Sequence, residues 1–155
     1  MSERKLEGLE PQSVFHYFEE ICAIPHGSRN TKAISDYLVA FAKAHNLTYC
    51  QDESNNVVIF APGTCGLEDH APVILQGHMD MVCEKDASCT LDMAVDGLDV
   101  THDDQFVFAR GTTLGGDDGI AVAYALAILA DNTIAHPPLE VIITVDEEIG
   151  MLGAA

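Results

Sequence analysis

The sequence predicts an α/β protein with a layered, mostly parallel sheet flanked by helices. Three observations carry that expectation. Apolar positions recur at helical spacing in two early segments, and an Ala-rich apolar stretch lies near residue 120. Short apolar runs at Val73–Gln76 and Leu139–Val145 have the pattern of strands covered on both faces. The two patterns alternate along the chain, the order in which helices are laid on a sheet. The 155 residues suffice for one domain with its own core and are too few for two.

Each element has a local reason. Residues 11–23 read as a helix: Pro11 suits a first turn, and Val14, Phe15, Phe18, Ile21 and Cys22 share a stripe. The run Ile24-Pro25-His26-Gly27-Ser28 breaks it. A second helix is expected over 31–45, with Asn30 as N-cap, Ile34, Leu38, Phe41 and Ala42 on one face, and Asn46 in a left-handed closing position. Residues 47–51 and 57–61 read as strands joined by a polar turn at Asn55-Asn56. Residues 62–71 are loop and 73–76 a buried strand, while 84–105 form a long polar stretch. Phe106–Ala109 reads as a short strand, Gly111–Gly116 as a glycine-rich loop, and Asp117–Leu129 as a helix suited to burial.

Composition narrows the function. Apolar residues make up 48% and charged residues 21%, which is against disorder. Asp and Glu number 25 against 7 Lys and Arg, a net charge of −18. A field of that sign repels phosphate backbones and anionic lipid, so nucleic-acid and membrane-surface partners are not expected, whereas a cation-collecting site is. The N-terminal MSERKLEGLEPQ has no apolar core and is not expected to be a signal peptide. The longest apolar run, Ile120–Ala130, falls short of the roughly 20 residues of a membrane span. Cys22, Cys50, Cys65, Cys83 and Cys89 are scattered with no C-x-x-C pair, which points away from a zinc ribbon and toward a reducing, cytoplasmic setting.

In a parallel α/β sheet, sites gather at the carboxyl ends of strands. Three polar clusters lie there: Gln76-Gly77-His78-Met79-Asp80 after one strand, Gly115-Gly116-Asp117-Asp118-Gly119 opening the apolar helix, and Asp146-Glu147-Glu148 after another strand. One imidazole with several carboxylates suits zinc, manganese or cobalt. Packed carboxylates repel one another, and divalent cations neutralise them. Two cations sharing a bridging carboxylate would sit about 3.5–4 Å apart. His78 and Asp80 point the same way in an extended segment, so Asp80 either orients the imidazole or bridges nearby. Glu147 and Glu148 point apart, so one can ligate while the other serves as general base.

Taken singly, each cluster has an ordinary reading: a chance His-x-Asp, a helix-capping turn, a solvated Glu pair. Their joint placement at strand ends is what indicates a site. His26 reads as a turn residue, and His16, His45, His70, His102 and His136 as surface or packing residues. The Asp run at 92–104 lacks EF-hand spacing and reads as a solvated loop. The loop at 111–116 lacks the Lys-Ser/Thr that would follow in a phosphate cradle, and there is no G-x-S-x-G or H-E-x-x-H.

The segments Leu75–Val82, Arg110–Gly119 and Thr144–Gly150 together resemble the M20 metallopeptidase family, and within it the aminoacyl-histidine dipeptidases; Cys22–Ser28 is similar to that subgroup too. The resemblance implies a zinc-peptidase-like catalytic domain. In it His78 is the first metal ligand, Asp80 the acid that holds it, Asp117 the carboxylate bridging two metals, Glu147 the catalytic base and Glu148 a ligand of the second metal. It also implies two divalent ions, foremost Zn²⁺ with Mn²⁺ or Co²⁺ as alternatives, and dipeptide substrates of the Xaa-His type. Family members are about three times longer, with a further Asp ligand, a distal His ligand, and a lid domain that often dimerises. Residues 1–155 are therefore expected to be the amino-terminal part of a catalytic domain without its lid, weak or inactive alone, with an open apolar sheet edge prone to association. At Asp118 the subgroup often has Asn, and the extra charge bears on metal preference. The competing expectation is a non-catalytic acidic α/β domain that binds a metal or a partner through the same carboxylates.

Overall fold

The computed structural model describes residues 4–155. The first apolar stripe becomes α1 (Gln12–Cys22), which buries Val14, Phe18, Ile21 and Cys22 and is preceded by Pro11. The second becomes α2 (Lys32–Ala44), with Ile34, Leu38, Phe41 and Ala42 buried. Thr31, not Asn30, occupies its N-cap, and no side chain caps it. The Asn30 amide instead donates to the Ala94 carbonyl at 3.0 Å, a long-range partner invisible to local pattern. Asn46 closes the helix with φ of 56°, as expected, and the Leu47 N–H bonds the Ala42 carbonyl.

β1 (Thr48–Gln51) and β2 (Val57–Ala61) form an antiparallel hairpin in which Thr48 faces Phe60 and Gln51 faces Val57. β3 (Val73–His78) follows, then β4 (Val100–His102) paired with β5 (Val107–Ala109) in a separate ribbon. β4 lies inside the stretch read as polar loop; three residues with Thr101 at their centre are too few to show alternation. α3 (Gly116–Ala130) and β6 (Leu139–Thr144) complete the elements that frame the site.

The main sheet runs β1-β2-β6-β3. β3 and β6 are parallel, while β2 is antiparallel to both β1 and β6, so the α/β sheet is mixed, with its parallel pair at one side. Register sets Val57, Ile59 and Ala61 beside Ile143, Val141 and Leu139 on one face, and this face is buried. α2 packs on β1 and β2, α3 packs on β3, and α1 packs on α3. Ile34 and Leu38 are 0% exposed in the resulting core, where each such side chain contributes about 1.5–3 kcal/mol of burial.

One strand differs from expectation. Val73–Gln76 was expected to be covered on both faces, yet Val73 is 43% and Ile74 59% exposed. β3 is an edge strand among the described residues, and the sheet face bearing Phe60, Ile74 and Gln76 stays accessible. A continuous apolar run states that burial is favourable and leaves open which layer supplies it. No helix of the described residues is long and apolar enough to cross a membrane.

Candidate metal centre

The parallel register of β3 and β6 builds the site. His78 pairs with Thr144, and the Met79 N–H bonds the Thr144 carbonyl at 2.9 Å, so both strands end at one level. The segments after them, 79–80 and 145–148, therefore meet across 67 residues of sequence. α3 brings the third cluster. Gly115 takes φ of 70°, and a Cβ there would lie 2.8 Å from the Met81 sulfur, so the turn into α3 closes only without a side chain. Residues 117 and 118 depart from helical φ/ψ, and their carboxylates lie against the end of β3.

His78 Nδ1 lies 3.0 Å from the Asp80 carbonyl oxygen and 3.3 Å from Asp80 Oδ1. With its proton on Nδ1, the ring presents the Nε2 lone pair to the acids. Nε2 is 3.1 Å from Asp117 Oδ1 and 3.8 Å from Glu147 Oε2. One ligand atom each from His78, Asp117 and Glu148 lie within 4.8 Å of one another. Asp117 is largely exposed, Glu147 and Glu148 half-buried, and His78 buried.

Asp80 is the buried hub. It is 1% exposed; Oδ1 accepts the Glu147 N–H at 3.0 Å, and Oδ2 accepts the Ser28 hydroxyl at 2.7 Å and the Glu148 N–H at 3.4 Å. Its carboxylate thus ties the imidazole segment to the glutamate segment. Asp118 accepts the His78 backbone N–H through Oδ2 at 3.2 Å. A Cβ on Gly77 would lie 2.7 Å from that same oxygen.

Titration follows the crowding. Burial acts to lower the His78 value, but the Asp117 hydrogen bond and the charges of Asp80 and Asp118 outweigh it and hold the imidazole above its usual range. Desolvation raises the Asp118 carboxyl, with Asp117 and Glu147 adding to the shift. Desolvation likewise raises Glu148, and its acidic neighbours Asp117, Glu147 and Asp80 add to it. An imidazole lone pair among mutually repelling carboxylates is a donor set that fits a divalent cation. A cleft of about 630 Å³ opens beside it, with Gln76, His78, Asp117, Thr144 and Glu147 in its wall.

All five expected site residues, His78, Asp80, Asp117, Glu147 and Glu148, are brought together. His26 is buried at 3% rather than lining an open turn, and its Nδ1 bonds the Ile24 carbonyl. Desolvation lowers its value, opposed by that hydrogen bond and by Asp80. Sequence reading gave no role to Ser28 or Asp146, whose contacts with Asp80 and with the Arg29 N–H span 52 and 117 residues and leave no local pattern.

The sequence profile of Peptidase family M20/M25/M40 matches residues 74–155, the stretch holding all three clusters. The chain belongs to the M20 peptidase family. It is 44% identical over 150 residues to the cytosol non-specific dipeptidase of Escherichia coli (strain K12), a match over 97% of this chain and 31% of that protein. The crystal structure of aminoacylhistidine dipeptidase from Vibrio alginolyticus superposes with a TM-score of 0.93 at 40% identity, covering 96% of this chain and 30% of that one. A tripeptidase from Staphylococcus aureus shares the fold, with a TM-score of 0.75 at 24% identity over 94% of this chain and 39% of the other. The chain thus spans about a third of the length of the two dipeptidases it matches.

Proposed function

We propose that residues 1–155 supply part of an M20-type catalytic domain that hydrolyses dipeptides, Xaa-His among them, with divalent metal ions, foremost Zn²⁺. The observation that carries this is the convergence of His78, Asp117 and Glu148 ligand atoms within 4.8 Å, with the Glu147 carboxylate 3.8 Å from His78 Nε2. The dipeptidase names of the relatives supply the substrate class, and the name of the E. coli protein supports action in the cytosol.

His78, Asp117 and Glu148 are the residues that would hold the cations. When bound, divalent cations polarise the scissile carbonyl and make water more acidic. Glu147 takes a proton from the attacking water and passes it to the leaving amine nitrogen as the peptide C–N bond breaks. Asp80 holds the imidazole and fixes the backbone of the two glutamates. The neighbouring cleft gives room for a short peptide.

The test has two arms. Hydrolysis of Xaa-His dipeptides with added Zn²⁺, Mn²⁺ or Co²⁺ is compared between wild type and Glu147→Ala, with an expected loss of about 10²–10⁴-fold and Zn²⁺ binding retained. Equal turnover above background in both sinks the role given to Glu147. Direct Zn²⁺ titration of His78→Ala, expected to bind at least about tenfold more weakly, tests the ligand set independently of turnover.

A further inference from the structure

We infer that Ser28 is a positioning residue for the metal centre, acting through Asp80 on the backbone that carries Glu147 and Glu148. The inference rests on the ligand reading proposed above.

The segment at residues 26–29 lies alongside the end of β3 as an extra rung. The Met81 N–H bonds the His26 carbonyl at 3.1 Å, the Ser28 N–H bonds the Met81 carbonyl at 3.3 Å, and Gly27 bridges Met81 in parallel. This fixes the Ser28 backbone, so its hydroxyl reaches Asp80 Oδ2 at 2.7 Å. Asp80 is 1% exposed, and the Ser28 hydroxyl is its shortest hydrogen-bond contact. An O–H donor to an ionised carboxylate at that length is a strong, directional bond. It sets the carboxylate plane, and the plane sets what the two oxygens hold: Oδ1 the Glu147 N–H, Oδ2 the Glu148 N–H. The next residue repeats the tie, since the Arg29 N–H donates to Asp146 Oδ1 at 2.6 Å. Residues 28 and 29 therefore anchor the 146–148 loop twice, once through Asp80 and once directly. Without the Ser28 hydroxyl, the Asp80 carboxylate loses its shortest hydrogen bond, Oδ2 keeps only the 3.4 Å contact to the Glu148 N–H, and its grip on the glutamate backbone loosens.

Zn²⁺ is titrated calorimetrically into metal-stripped wild type, Ser28→Ala, Ser28→Thr and His78→Ala. Ser28→Ala is expected to bind about 10–100-fold more weakly, the usual effect of losing a group that orients a ligand. Ser28→Thr keeps the hydroxyl and is expected to stay within about threefold of wild type. In an Asp80→Ala background, which removes the acceptor, Ser28→Ala is expected to have no further effect, which a purely structural role would not produce. Where Ser28→Ala does not fold, Ser28→Cys places a weaker donor in the same volume and reads a smaller loss in the same direction. Unchanged Zn²⁺ affinity in Ser28→Ala, with His78→Ala weakened, overturns the role of Ser28 alone. Unchanged affinity in His78→Ala overturns the ligand reading itself. Ser28→Thr as weak as Ser28→Ala overturns the hydroxyl argument.

Discussion

Gly77→Ala tests how tightly β3 and α3 are fitted at the site. The added Cβ would meet Asp118 Oδ2 at 2.7 Å, while its other neighbours, Asp118 Cγ at 3.6 Å and Ala121 Cβ at 3.8 Å, are at ordinary contact distance. Only that oxygen must move, and it is the acceptor of the His78 N–H. Breaking a hydrogen bond to a charged group costs about 1.5–3 kcal/mol. Replacing glycine in a strand returns about 0.5–1 kcal/mol of backbone entropy. The net expectation is a loss of about 1–2 kcal/mol, a fall in Tm of roughly 2–8 °C for a chain of this size. Urea denaturation of Gly77→Ala, Asp118→Ala and the double variant measures it. With Asp118 shortened to alanine the clash is gone, so Gly77→Ala should then be neutral or mildly stabilising. A Gly77→Ala cost that is the same in both backgrounds refutes the reasoning, because neighbours that collide cannot be additive.

Three further outcomes are expected. In metal-free protein the raised His78 value gives stability that is fully present below the unfolded value near 6.5 and is lost as pH rises through the higher folded value. Chelator-treated protein should therefore unfold at lower urea at pH 8 than at pH 6.5, and a midpoint that climbs over that interval contradicts the assignment; Zn²⁺ competes with the proton and should reverse the slope. Cys22 is 1% exposed, and burial, with Glu19 nearby, pushes its thiol up to about 12, so at pH 8 a thiol reagent should modify exposed Cys50 and Cys65 and spare Cys22 until the protein unfolds, as read by mass spectrometry. The exposed Val73 and Ile74 on edge strand β3 should give concentration-dependent association in sedimentation, reduced by Ile74→Lys; a monodisperse wild type with no dye-accessible apolar surface would speak against it.

Elements whose cause is local were legible in the chain. The stripes of α1 and α2, the left-handed Asn46, the hairpin at Asn55 and the apolar β6 all follow from side-chain period or turn chemistry within a few residues. β4 was not legible, because three residues carry no period and their partner strand supplies the reason they are extended. The exposure of β3 was not legible either, since its hydrophobicity is the same whichever layer covers it.

The site divides along the same line. By itself the sequence singled out the candidate site residues, His78, Asp80, Asp117, Glu147 and Glu148, at element ends, because residue chemistry and the switch from apolar run to polar cluster are written in the chain. Tertiary structure decided how they meet. The parallel pairing of β3 with β6 levels two clusters 67 residues apart, Gly77 and Gly115 let α3 bring in the third, and Asp80 turns out to grip the glutamate backbone as well as neighbour the imidazole. Ser28 enters only there, because a hydrogen bond spanning 52 residues depends on where two strands and a loop come to rest, and local sequence does not encode that distance.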